Sequence, residues 1–104
     1  MKHLFLAAGL GLSIAASGAA PAMASGVIQN ACLKSDRPAA NRELCACLQV
    51  VADAVLTPSY QKRGAEFFTD PHKSHETRAS GRVADEKFWE RWEVFAATAV
   101  KHCQ

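Results

Sequence analysis

The chain has 104 residues, 49% of them hydrophobic and 21% charged, with 12 Lys+Arg against 10 Asp+Glu. That near-balance, with signs alternating and no block of one charge, excludes an electrostatic case for nucleic acid or an anionic membrane as partner. The length excludes a large unaided core and allows one small domain.

The first element is a targeting segment. Met1-Lys2-His3 is a short positive region, and Leu4 to Ala16 is apolar apart from Gly9, Gly11 and Ser13. Small residues follow, and Ala22-Met23-Ala24 fits the A-x-A cleavage rule. Residues 1–24 therefore read as a signal peptide and residues 25–104 as one mature helical domain. The apolar run is short for a membrane span of roughly 20 residues, and no second run follows. The expectation is a periplasmic protein, exported by a cleaved Sec-type signal and free of the membrane once cleaved. Removing Lys2 leaves 11 Lys+Arg against 10 Asp+Glu, a net charge of +1.

Gly26 to Lys34 reads as a short helix with Val27, Ala31 and Cys32 on one side, broken at Ser35-Asp36-Arg37-Pro38. The central helix runs from Glu43 to Leu56, with Asn41 as its N-cap and an apolar stripe at Leu44, Leu48, Val51 and Val55. Thr57-Pro58 opens a third helix to about Phe68, with Tyr60, Gly64, Phe67 and Phe68 on one face. Gly64 weakens that helix and allows a close helix crossing. Asp70-Pro71 repeats the cap-and-proline device before a polar stretch to Arg78. Ala79 to Arg82 is a flexible connection. The last helix, Val83 to His102, carries Phe88, Trp92, Phe95, Ala99 and Cys103 at spacings of four, three, four and four. Trp89 lies at the edge of this stripe. No run alternates as a strand would. The fold class is all-α, a small bundle of three main helices plus short ones.

All four cysteines, Cys32, Cys45, Cys47 and Cys103, belong to the mature chain. An even count in a small exported domain reads as two disulfides. A Cys45–Cys47 bridge would close a tiny strained ring inside a helix. On that helix the two point about 200° apart. Cys32 therefore joins one of them and Cys103 the other, in either of two pairings, and the central helix is stapled to both ends of the domain.

Three constellations bear on chemistry. Cys45-Ala46-Cys47 has the form of a soft-metal or redox pair, but an oxidising compartment and two available partners favour structural disulfides. His72 and His75 share a helix face and with Glu76, or with His102, form a candidate metal site. Their stretch is polar throughout, which favours a solvated face, so no metal and no cofactor is expected. Trp89 and Trp92 with Phe67, Phe68, Phe88 and Phe95 are candidate walls of a ligand pocket, although aromatic stripes at helical spacing usually form core. So small a core does not bury both tryptophans, which leaves Trp89 as a candidate exposed contact. There is no G-x-S-x-G, no Gly-rich phosphate loop and no nucleophile–base–orienter set.

Four segments carry a resemblance: Asn30-Ala31-Cys32-Leu33-Lys34-Ser35, Leu44 to Asp53, Phe67 to Lys73, and Phe88-Trp89-Glu90-Arg91-Trp92. Through them the chain resembles a group of small exported alphaproteobacterial proteins that often bear the name "arginine transporter". The resemblance spans essentially the whole mature chain and carries no residue role with it. A chain without a membrane-spanning helix forms no translocation path, so the name implies at most an accessory of basic amino-acid transport.

The expected function is binding to a periplasmic protein partner, not catalysis. A metal-binding or redox role for His72, His75 or the cysteines is the alternative, and the transport accessory a third.

Overall fold

Everything in the fold is hung on the helix that carries the paired cysteines. The computed structural model describes residues 26–103, and the signal peptide expected over residues 1–24 lies outside them. Five α-helices follow one another: α1 (Val27–Lys34), α2 (Arg42–Val55), α3 (Pro58–Thr69), α4 (His72–Ala79) and α5 (Val83–His102). There is no strand among the described residues. The all-α expectation of three main helices plus short ones holds.

Local chemistry explains the boundaries. Asn41 Oδ1 accepts the N–H of Leu44 at 2.7 Å and opens α2. Thr57 Oγ1 accepts the N–H of Tyr60 at 3.3 Å and opens α3, with Pro58 at the first helical position. The Asp70-Pro71 device works differently from the expectation. The Asp70 side chain does not cap, and its backbone carbonyl accepts the N–H of Lys73 at 3.0 Å instead. Gly81 takes a left-handed φ of 75° just beyond α4, the usual stop for a helix. The connection there is pinned. The Ser80 hydroxyl donates to Asp85, and the N–H of Arg82 donates back to Ser80 Oγ at 3.2 Å.

Two disulfides leave α2 in opposite directions. Cys45 bonds Cys32 in α1, and Cys47 bonds Cys103 at the end of α5. This chooses between the two pairings that spacing left open. The closed loops span 13 and 56 residues of separation, worth about 3 and about 4 kcal/mol on the chain-entropy account. All four cysteines are bonded, which fits an oxidising, extracytoplasmic environment. No described helix is long and apolar enough to cross a membrane.

Between the staples lies the core. Ile28 of α1, Val51 and Ala52 of α2, Leu56, and Phe95 and Ala99 of α5 form one buried cluster. Of the expected stripe on α2 only Val51 is buried; Leu44, Leu48 and Val55 are half-buried, and the buried face is turned toward Cys45, Gln49 and Ala52, because the Cys45 bridge and the Gln49 amide face α1. Gln49 is 5% exposed and Gln61 6%. Both are satisfied. Gln49 Nε2 donates to Gln61 Oε1 at 2.8 Å and to Asp53 Oδ1 at 3.0 Å, and Gln61 Nε2 donates to Asp53 Oδ1 at 3.1 Å. Gln49 Oε1 accepts the backbone N–H of Gln29 at 2.8 Å. Helix α1 begins at Gly26 with no side-chain cap of its own, so this amide from α2 supplies one. At the other end of α2, Arg91 Nε donates to the Val55 carbonyl at 2.9 Å.

Helix α3 meets α5 at one point of close approach. A Cβ built on Gly64 would stand 2.5 Å from Cη2 and 2.6 Å from Cε3 of Trp92, and closer still to Cζ3. The indole lies flat on the backbone of α3 because Gly64 has no side chain. Gly64→Ala should therefore destabilise the domain by about 1–3 kcal/mol, although alanine is the better helix former by roughly 1 kcal/mol. Urea denaturation followed by circular dichroism measures it, and an unchanged or raised midpoint refutes it.

The two staples differ in burial. Cys32 is 2% exposed and Cys45 0%, whereas Cys47 and Cys103 are half-buried. Since exchange needs access of the attacking thiolate, graded reductant should open Cys47–Cys103 well before Cys32–Cys45. Alkylation and peptide mapping at intermediate reductant should show Cys47 and Cys103 modified first. The reverse order, or simultaneous opening, contradicts this.

Candidate binding site: an aromatic cleft

The aromatic residues form one packed cluster that reaches the surface on one side. Phe88, Phe95 and Phe67 are 0%, 4% and 6% exposed and belong to the core. Phe67, Phe68, Trp89 and Trp92 line a surface cleft of about 190 Å³, closed by Arg37 and Ser74. Four of the six rings named from the sequence therefore line one site.

Each wall is placed by a local cause. Trp92 is fixed by the glycine contact on α3 and by Phe67, whose ring meets it edge-on at 5.3 Å between centroids. Phe67 also meets Trp89 at 6.1 Å. One turn of α5 separates Trp89 from Glu93, and the indole N–H donates to Glu93 Oε2 at 3.2 Å, which holds the ring. Trp89 is half-buried and forms part of a wall. The Ser74 hydroxyl donates to the Pro71 carbonyl at 2.7 Å. Arg37 comes from the α1–α2 connection. The N–H of Ala40 donates to the Arg37 carbonyl at 3.0 Å, closing a turn with Pro38 at its second position, where a fixed φ is favourable. The turn delivers the guanidinium over the Phe68 ring, 5.6 Å from its centroid, a cation–π arrangement.

Arg37 was not singled out by the sequence reading, and no local motif marks it. Its role arises when α1 and α3 pack together. Among the described residues it makes no ion pair. Those recorded join Arg63 to Asp85, His72 to Glu76 and Lys73 to Glu66. Lys73 Nζ donates to Glu66 Oε1 at 3.1 Å, and that bond, with Glu66's charge, raises the ammonium above its ordinary value.

The remaining sequence candidates fall elsewhere. His72 Nε2 lies 3.7 Å from Glu76 Oε2, and the His72 and His75 rings are 6.4 Å apart. All three residues are exposed on α4. His102 lines a different cleft, beside Asn41 and the Cys47–Cys103 bridge. No group of three His, Cys, Asp or Glu side chains converges as a metal site among the described residues. The cysteines are spent in disulfides. Comparison of the chain with protein-family models, with curated proteins and with solved structures finds no match in any of the three.

Beneath the cleft, Arg63 of α3 stacks over Phe88 at 4.6 Å and pairs with Asp85 of α5. The hydroxyl of Ser80 and then Arg63 hold the Asp85 carboxyl below its ordinary value of 3.8. A carboxyl that titrates lower when folded adds stability that is complete above its ordinary range and is lost as the pH falls through the depressed native value. Asp85→Asn should therefore lower stability at neutral pH and flatten the acid limb of the stability profile below about pH 4. Urea midpoints from neutral pH down to about pH 2 measure it, and an acid limb as steep as in the wild type refutes the assignment.

Proposed function

We propose that this protein works in the periplasm, after removal of residues 1–24, as a binding module whose aromatic cleft contacts a protein partner. The observation that carries the reading is that the aromatic cluster of the core reaches the surface on one side. Phe67, Phe88 and Phe95 are buried, whereas Phe68, Trp89 and Trp92 are only half-buried and line a cleft with Phe67, under an arginine with no ion partner among the described residues. Aromatic residues with one arginine are the composition of interaction hot spots. The groups at the cleft suit holding a ligand. A guanidinium stays charged at every physiological pH, and the only hydroxyl is already donating to a carbonyl. The disulfide staples support export, and rigid walls reduce the entropy lost on association.

Arg37 at the mouth also weighs against free arginine as ligand, because two guanidinium groups repel across so short a distance. An acidic partner suits the cleft better than a basic amino acid.

Photo-crosslinking in intact cells tests the reading. A benzoylphenylalanine placed at Ser74, on the cleft wall, should yield a discrete protein adduct. The same group at Val100, which is 61% exposed on α5 and does not line the cleft, should not. Trp89→Ala in the Ser74-labelled chain should reduce the adduct severalfold, as expected when a hot-spot aromatic is removed. Equal adducts from both positions, or none from Ser74, overturn it.

A further inference from the structure

The aromatic cleft does not end at Phe68. A second cleft of about 460 Å³ shares Arg37 and Phe68 with it and continues along Lys34, Pro38, Thr69 and Pro71. The two depressions share the Arg37–Phe68 pair and adjoin there, with a cation between them. One is lined by Phe67, Trp89 and Trp92, the other by prolines, backbone and short polar chains. The ionic residues along the two are Lys34, Arg37 and Asp36. The sign is net positive, and Arg37 is the only one of these residues shared by both.

This division has a chemical meaning. A compact solute would occupy one depression and leave the other wet. An extended polypeptide presents a side chain every 3.2–3.4 Å and spans both, placing an anchor in one and backbone in the other. The half-buried rings of Phe68, Trp89 and Trp92 offer surface on which a further aromatic ring can pack edge-on or offset. A carboxylate next to that ring meets the guanidinium, which offers a planar fork matching its two oxygens.

We propose that the adjoining depressions bind an extended segment of a partner protein in which an aromatic side chain is flanked by a carboxylate. The ring packs against Trp89 and Trp92 in the aromatic cleft, and the carboxylate pairs with Arg37. This rests on the cleft being the contact site. Charge complementarity selects the occupant: a cation held over Phe68 by the Pro38 turn, with no ion partner among the described residues, calls for an anion.

The chain has two tryptophans, and both line the cleft, so both indole N–H signals report on it. The probe is an acetylated, amidated pentapeptide of sequence GDFDG, titrated into the ¹⁵N-labelled, disulfide-bonded mature protein. Two controls replace its aspartates by lysine or its phenylalanine by alanine. The acidic aromatic peptide should shift both indole signals saturably. The lysine peptide should bind severalfold more weakly, up to about fivefold for one exposed ion pair, and the alanine peptide should not saturate. Raising the salt from about 0.05 to about 0.5 M should narrow the gap between the acidic and basic peptides. Arg37→Gln should abolish that gap and leave the melting temperature unchanged, whereas Arg37→Lys should keep part of it. Equal binding of acidic and basic peptides, an Arg37→Gln variant that still discriminates, or no indole shift with the acidic peptide overturns the proposal. The Ser74 photo-adduct judges the site separately. An adduct without peptide binding leaves the cleft as the contact and removes this occupant, and loss of the adduct removes the site itself.

Discussion

The domain depends on two cysteines placed two residues apart on one helix. Side chains at that separation leave α2 on opposite sides, so the residue pair fixes α1 on one flank and the end of α5 on the other. A domain of this size buries too little apolar surface to hold five helices by packing alone. The covalent links reduce the entropy of the unfolded chain, and packing then needs only to select one arrangement. The helix that carries both links also carries Val51, Ala52 and Gln49, so covalent and noncovalent order converge on the same fourteen residues.

Much of this was legible in the sequence because helical periodicity and capping are local. Phe88, Phe95 and Ala99 recur at helical spacing and are buried together. Asn41 and Thr57 precede their helices and cap them. Asp70 precedes a helix in the same manner yet does not cap, because Pro71 takes the N-cap position itself. Disulfide geometry was half legible. Angular reasoning separated Cys45 from Cys47, but which flank each faces depends on where α1 and α5 pack, and that is tertiary information.

The site was legible only in part for the same reason. The rings were visible as a stripe, but which of them reach the surface depends on how α3 packs on α5 at the Gly64–Trp92 contact. Arg37 sits in a connection without periodicity, and its position over Phe68 is decided by the turn at Pro38 and the docking of α1 against α3. Gln49 and Gln61 read as ordinary polar positions on amphipathic helices. One signal was available: Gln49 lies four residues after Cys45 and three before Ala52, so it shares their buried face.

The amide of Gln49 ties the start of one helix to the body of another. Helix α1 has eight residues, too few to persist alone, and its first free N–H groups lack a local acceptor. The acceptor for Gln29 is supplied by Gln49 of α2, which Gln61 and Asp53 hold in place, so the start of α1 is completed only where α1 packs on its neighbours. Formation of α1 and docking of α1 become a single event. Backbone amides of α1 should then exchange with solvent through openings shared with the core more than through fraying at the helix end. A short, weakly capped segment thereby shares the cooperativity of the centre.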